Sequence, residues 1–205
     1  MRIAKATVVL LSALVSTLMA GSASAQSAGT PRVEIGILPG GATIFTEGDS
    51  GAPSFGTYAL AGSVTVNANR FVGIEGEVGG NIGIDQDLEF TGGTVQAQPP
   101  HMLSYSANLV LYLRGRDSGA VPYVTGGVGG LTLFEQRELG VLENTTLFAG
   151  NVGGGVKVDL GDRWGIRADY RFIPVASKDD APAFFGSETR YGHRIAAGVV
   201  INLLR

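Results

Sequence analysis

Residues 162–172 read DRWGIRADYRF, and apolar and charged side chains alternate along this stretch. The apolar positions are Trp164, Ile166, Ala168, Tyr170 and Phe172. The charged positions between them are Arg167, Asp169 and Arg171. Successive side chains of a β-strand point to opposite faces, so the alternation predicts a strand with one apolar and one charged face. The fold depends on which of the two faces points inward.

Period-two alternation recurs along the rest of the chain, and helical periodicity is absent. Eight candidate strands follow from it: 32–45, 57–68, 71–83, 102–114, 121–133, 146–159, 163–173 and 192–204. They are longer than the roughly 5–6 residues that are usual in soluble sheets. They are long enough for the roughly 9–11 residues that a tilted strand needs to cross a membrane.

The links between these strands alternate in length. The short links are 68–70, 115–120 and 160–162, and the long polar links are 46–56, 84–101, 134–145 and 174–192. Transmembrane up-and-down barrels have this pattern, with short turns on the periplasmic side and longer loops outside. The sequence therefore predicts an all-β fold, an eight-stranded antiparallel up-and-down transmembrane β-barrel.

The first strand, VEIGILPGGATIF at 33–45, contains a proline. Pro39 has no N–H to donate to a neighbouring strand, and a closed barrel has no edge on which to place it. Pro39, Gly40 and Gly41 therefore form either a kink within the strand or a turn that would change the strand count. We favour the kink.

Charged residues on the polar strand faces balance each other. The acidic members are Glu34, Glu75, Glu77, Asp159 and Asp169, and the basic members are Arg114, Lys157, Arg167, Arg171 and Arg194. A narrow barrel interior must pair its charges, because an unpaired buried charge is very costly, whereas a solvated face has no such constraint. The balance favours a charge network of these ten side chains in the lumen, with the apolar faces towards lipid.

Five aromatic residues fall near strand ends: Phe45, Tyr123, Phe134, Phe148 and Trp164. Membrane barrels carry girdles of aromatic side chains at both interfaces. We therefore expect these residues to lie at the membrane interfaces, with Trp164 near the periplasmic one.

The segment FAGNVGGGVKVDLGDRWGIRADYRF, residues 148–172, resembles the outer-membrane β-barrel family of OmpA/OmpX type. A glycine-rich strand, a short Gly-Asp-Arg turn and a Trp-Gly-x-Arg-x-Asp-Tyr-Arg strand carry the resemblance. It implies a small eight-stranded barrel with both termini in the periplasm and the Arg/Asp face in the lumen. Such proteins often end on an aromatic residue that the outer-membrane assembly machinery reads, whereas this chain ends INLLR.

The first 25 residues have the features of a secretory signal peptide. Arg2 and Lys5 precede an apolar run, and Ala23, Ser24 and Ala25 form a small-x-small cleavage site. We expect residues 26–205 to form one outer-membrane barrel domain. Without Arg2 and Lys5, 13 of the 15 basic residues remain against 18 acidic ones, which argues against a nucleic-acid partner. The chain has no cysteine, so disulfides do not stabilise it.

Motifs for catalysis and for cofactor or metal binding are absent from the sequence. The glycine clusters lack a phosphate-loop ending. His101 and His193 are the two histidines, and neither lies in a Ser/His pattern or a metal-ligand cluster. Two acidic loop groups could gather a divalent cation, but we favour solvated loops: Asp85, Asp87 and Glu89, and Asp179, Asp180 and Glu188. We expect a non-enzymatic protein without a cofactor.

The sequence predicts a monomer in the bacterial outer membrane, in contact with its lipids and, during biogenesis, with the assembly machinery. Eight strands enclose a lumen that side chains can fill, so we expect a structural role and no substantial channel. Loops carry specificity, and Phe184 and Phe185 are the predicted contacts of a surface partner. The alternatives are a small-solute or ion pore and a secreted soluble lipocalin-like barrel with the faces inverted.

Overall fold

The computed structural model describes residues 33–46, 51–90, 92–114, 119–161, 163–176, 178, 181–182 and 184–203. The predicted signal peptide, Asp179, Asp180 and the chain end at 204–205 lie outside these ranges. The strands are β1 (Val33–Phe45), β2 (Phe55–Asn67), β3 (Val72–Gly83), β4 (Gln86–Phe90), β5 (Gly93–Ala97), β6 (Met102–Tyr112), β7 (Ala120–Leu133), β8 (Thr145–Asp159), β9 (Trp164–Val175) and β10 (Arg190–Asn202). A 3-10 helix spans Arg137–Leu139. No helix in these ranges is long and apolar enough to cross a membrane.

Eight of the strands close an antiparallel barrel in the order β1, β10, β9, β8, β7, β6, β3 and β2. β1 pairs with both β2 and β10, which closes the ring. The predicted eight-stranded barrel is confirmed. β4 and β5 form a separate hairpin within the link 84–101, for which the sequence predicts only a loop.

The two ends of the barrel differ. The turn end carries the links 68–71, 113–119 and 160–163, and the loop end carries the links 46–54, 84–101, 134–144 and 176–189. Local hydrogen bonds stabilise the tight turns: the Asn69 side chain accepts from the backbone N–H groups of Phe71 and Val72 at 2.8 and 3.0 Å. These contacts satisfy backbone groups that the strand pairing leaves open.

Pro39 lies in a bulge, so the kink interpretation is confirmed. β1 continues from Val33 to Phe45 without a turn, and its register shifts between Ile37 and Gly40 against β10. It also shifts between Leu38 and Ala42 against β2. A Cβ at Gly41 would lie 2.6 Å from the backbone oxygen of Ile195, so the bulge requires glycine there.

The charged faces point into the barrel and the apolar faces point out. Glu75, Arg167 and Arg171 are buried, whereas Ile166 and Ile195 are exposed on the outer surface. A soluble barrel has the opposite arrangement, with polar side chains in solvent and apolar ones inside. The lipocalin-like alternative is therefore wrong.

The aromatic residues near the strand ends divide into two groups. Phe134, Phe148 and Trp164 are exposed on the outer surface. Phe45 and Tyr123 are buried inside the barrel, so their predicted place in an interfacial girdle is wrong. Phe45 stacks on Phe55 with ring centroids 5.0 Å apart, and the Tyr123 hydroxyl group bonds to charged lumen residues.

Glycines on the inner face of β7 and β8 allow neighbouring strands to approach closely. A Cβ at Gly129 would lie 1.8 Å from the backbone oxygen of Tyr105, and one at Gly153 would lie 2.0 Å from that of Tyr170. No side chain fits at these distances without a shift of the backbone. The glycine-rich strands are therefore a requirement of tight curvature in a small barrel.

Gly129→Ala should lower the free energy of unfolding by about 1–3 kcal/mol, because the added methyl group forces apart β6 and β7. Gly76→Ala is the matched control, since a Cβ there has nothing within 4 Å. The measurement is urea unfolding in lipid vesicles, followed by the fluorescence of the single tryptophan. Equal effects of the two substitutions would contradict this account of the glycines.

Candidate functional site: the charged lumen

Ion pairs cross the centre of the lumen between β9 and β3. These strands lie four places apart in the ring of eight and therefore face each other across its diameter. Both terminal nitrogens of the Arg167 guanidinium group, Nη1 and Nη2, donate to the Glu75 carboxylate. Arg171 Nη2 reaches the same carboxylate, 2.7 Å from Oε1. One fully buried glutamate thus holds two arginines from the opposite wall.

Further acids complete this central cluster. Arg194 Nη2 lies 2.7 Å from Glu77 Oε1, and Arg171 Nη2 lies 3.2 Å from Glu77 Oε2. Arg167 Nη2 lies 2.6 Å from Asp169 Oδ2. The cluster holds three carboxylates and three guanidinium groups, and its formal charge is therefore zero, as a buried ionic site requires.

A second pair lies nearer the turn end. Lys157 Nζ on β8 donates to Glu34 Oε2 on β1 at 2.7 Å and to the Tyr112 hydroxyl at 3.1 Å. The Tyr112 hydroxyl in turn donates to Asn67 Oδ1 at 2.7 Å. The ammonium group also lies 5.1 Å from the Tyr112 ring centroid and 5.5 Å from that of Tyr123. This layer joins walls three places apart in the ring.

Two members of the predicted network lie apart from it. Arg114 follows the end of β6 and is exposed, so its predicted place in the lumen is wrong. Asp159 is the last residue of β8 and is half-buried. Neither takes part in an ion pair among the residues that the structure describes. The predicted strand 102–114 continues two residues beyond Tyr112, where β6 ends.

Uncharged residues that the prediction left out complete the network. The Tyr123 hydroxyl accepts from Arg167 Nε at 2.8 Å and donates to Asp169 Oδ2 at 3.1 Å. Asn151 accepts from Arg171 Nη1 at 3.1 Å and donates to Asn108 Oδ1 at 2.8 Å. Both asparagines occupy the polar positions of the alternation in their strands, so the sequence pattern predicts that they face the lumen. Tyr123 gives no such signal, because an aromatic ring fits either face of a membrane barrel strand.

An apolar cluster fills the loop end of the lumen. Its buried members are Phe45, Phe55, Leu88, Met102, Leu131, Leu133, Val141, Leu147, Ala149, Val175, Phe184 and Phe185. We call it the apolar cap. Arg190 lies beside it and donates to the backbone oxygens of Phe185 at 3.1 Å and Pro53 at 2.6 Å. The described residues of the long loops thus fold back over the barrel mouth.

The predicted partner contact at Phe184 and Phe185 is wrong. Each side chain is 1% exposed. Phe184 packs on Phe55 with ring centroids 4.9 Å apart, and Phe185 packs on Phe45 at 5.6 Å. Adjacent phenylalanines in a polar loop suggested a surface contact, but burial of the two rings inside the mouth stabilises the loop instead.

Known proteins share this architecture. A family model described as the outer membrane protein beta-barrel domain matches residues 11–201. The chain belongs to this outer-membrane β-barrel family. The protein is therefore located in the outer membrane, and the predicted resemblance is confirmed at the level of the family.

Solved structures of outer-membrane barrels have the same fold. Neisserial surface protein A matches with 12% identity and a TM-score of 0.55, covering 87% of this chain and 100% of that chain. The N-terminal β-barrel domain of Pseudomonas aeruginosa OprF matches with 13% identity and a TM-score of 0.52, covering 84% of this chain and 97% of that one. No curated protein sequence matches. At these identities, the structural matches show the fold alone.

The histidines of this outer-membrane barrel have structural contacts. His101 Nδ1 accepts from the backbone N–H of Gly83 at 3.1 Å, and His193 Nδ1 lies 2.7 Å from the Tyr170 hydroxyl. Within the described ranges, no three His, Asp or Glu side chains lie close enough together to hold a metal ion. The acidic loop group that includes Asp179 and Asp180 lies partly outside those ranges.

Glu75→Gln should lower the free energy of unfolding by about 3–5 kcal/mol, because it leaves two buried guanidinium groups without their shared carboxylate. The measurement is urea unfolding of the protein in lipid vesicles, followed by Trp164 fluorescence.

Glu135→Gln is the matched control for this experiment. Glu135 pairs with Arg137 at 2.6 Å, but both side chains are exposed, and such a pair contributes about 0–1 kcal/mol. A loss for Glu75→Gln no larger than that of the control would show that the lumen pairs do not stabilise the barrel.

Proposed function

We propose that this protein is a closed, non-conducting structural element of the outer membrane. The observation that carries the proposal is the set of ion pairs across the lumen, from Arg167 and Arg171 on one wall to Glu75 on the opposite wall. An ion that crosses the barrel would have to displace these paired charges. Eight-stranded barrels are narrow enough for side chains to fill them.

The apolar cap supports the same proposal. A hydrated solute that entered from the loop end would meet buried aromatic rings, among them Phe45 and Phe184, before it reached the charged layer. An apolar barrier and an ionic barrier thus lie one after the other along the lumen. The apolar cap excludes charged and hydrated solutes, and the charged layer excludes apolar ones.

We further propose that residues 26–205 work as a single monomeric, non-enzymatic domain after removal of the signal peptide. A closed barrel has no strand edge left to pair with a second copy, which supports a monomer. Its partners are the outer-membrane lipids around the apolar surface and, during insertion, the assembly machinery.

Single-channel recording in planar bilayers tests the closed lumen. The wild-type protein should give no steady large conductance steps. Arg167→Ala/Arg171→Ala should raise the conductance, because two long side chains that fill the lumen are shortened, whereas Arg137→Ala in an exposed loop position should not.

Heat-modifiable gel migration shows whether each variant is folded. Steady large steps from the wild-type protein would overturn the proposal and favour the pore. That result decides the matter even if the double variant does not fold.

A surface-interaction role is the second candidate function. The two most exposed large apolar side chains among the described residues of the loop-end links are Leu142, at 71%, and Val95 on the β4–β5 hairpin, at 51%. Exposed apolar groups on loops that a rigid barrel positions are typical of contact sites. They replace the buried Phe184 and Phe185 as the proposed contacts.

Val95→Ser/Leu142→Ser should reduce the adherence of bacteria that express the protein on their surface, without loss of folded barrel. Val156→Ser on the outer barrel wall serves as the control for loss of an exposed apolar side chain. Adherence that is unchanged by the loop variant, at equal surface expression, would reject the surface-interaction role.

A further inference from the structure

Each of three turns at the turn end carries an exposed arginine next to an exposed apolar side chain. The pairs are Arg70 with Phe71, Arg114 with Leu113, and Arg163 with Trp164. They lie on the β2–β3, β6–β7 and β8–β9 turns and are therefore spread around the rim. The lumen network and the apolar cap use none of these residues.

The apolar partners belong to the lipid-facing surface. Leu113 continues the outward row of Leu109 and Leu111, and all three are exposed. Trp164 begins the outward row of β9, which continues with Ile166. The three arginines thus lie at the level of the barrel wall at which the apolar outer surface ends. This is the depth at which amphipathic side chains meet lipid headgroups.

The three arginines are available for an external anion. None of the ion pairs formed among the described residues includes Arg70, Arg114 or Arg163. The Arg70 guanidinium carbon lies 4.8 Å from the Phe71 ring centroid, a cation–π contact that holds the guanidinium group beside the ring. The N–H groups along the edge of such a guanidinium group can donate two hydrogen bonds to one phosphate.

The two ends of the barrel differ in charge. In sequence, the three turn-end links contain four arginines, Arg70, Arg114, Arg116 and Arg163, and two aspartates, Asp117 and Asp162. The four loop-end links contain two basic residues, Arg137 and Lys178. Their acidic residues are Glu47, Asp49, Asp85, Asp87, Glu89, Glu135, Glu138, Glu143, Asp179, Asp180 and Glu188. An anionic lipid surface is therefore favoured at the turn end and disfavoured at the loop end.

We propose that the turn end binds the phosphate headgroups of anionic phospholipids through Arg70, Arg114 and Arg163. Each guanidinium group contacts a headgroup phosphate, and the apolar neighbour packs against the top of the acyl chains. The barrel thereby collects anionic lipids in the leaflet at its turn end. The interaction does not depend on whether the lumen conducts.

Trp164 makes this proposal directly measurable, because it is the only tryptophan of the chain and adjoins Arg163. The full protein is reconstituted in phosphatidylcholine vesicles that contain either brominated phosphatidylglycerol or brominated phosphatidylcholine with the same acyl chains. Bromine quenches Trp164 only when the lipid is next to it. The ratio of the two apparent association constants reports the preference for the anionic headgroup.

For the wild-type protein we expect a preference of about fivefold for the anionic lipid, the effect of one arginine near a charged surface. Arg163→Gln should bring the ratio close to one. Arg70→Gln/Arg114→Gln should leave quenching of Trp164 largely unchanged, because those two arginines lie on other turns around the rim of the barrel. Raised salt should reduce the wild-type preference.

Arg137→Gln is the matched control, since it removes an exposed arginine at the loop end. Gel migration shows that each variant is folded. Equal quenching of the wild-type protein by both lipids would overturn the proposal. A preference that persists in Arg163→Gln would also overturn it, because the preference would then not come from the arginine beside Trp164.

Discussion

The pairing of Glu75 with Arg167 and Arg171 across the lumen is the interaction on which the rest of the structure depends. These charges are fully buried, and buried charges are tolerated only when they are paired and hydrogen-bonded. The pairing requires that β3 and β9 face each other, and the closed ring of eight strands places them on opposite walls. It also fixes the register, because a slip of one residue would turn the charges towards lipid.

Room for these long side chains comes from glycine. Gly153 pairs with Arg171 and Gly155 pairs with Asp169 in the register of β8 and β9. Both glycines face the lumen, and a Cβ at either would lie about 2 Å from a backbone oxygen of β9. The same absence of side chains thus permits the curvature of the wall and the space for the charges that it encloses. The pairing of a glycine-rich strand with a charged strand therefore serves both the curvature of the barrel and the packing of its lumen.

The sequence was sufficient to predict the barrel because its alternation is long, regular and balanced in charge. Period-two patterning and link lengths predicted the strand count, the kink at Pro39 and the end of the barrel that carries the long loops. The positions of residues beyond a strand end or within a loop were harder to predict. Arg114 kept the parity of the lumen but lay outside the strand, and Phe184 and Phe185 were buried by loops whose path no local pattern specifies. The β4–β5 hairpin was missed for the same reason.

A double-mutant cycle on Glu75 and Arg171 tests the central claim most directly. Glu75→Gln, Arg171→Gln and the double variant are unfolded with urea in lipid vesicles, and the coupling free energy is taken from the four stabilities. If the pair across the lumen holds the barrel closed, the coupling should be at least about 1 kcal/mol, as for residues in one buried network. Additive effects, with a coupling below about 0.5 kcal/mol, would contradict the account.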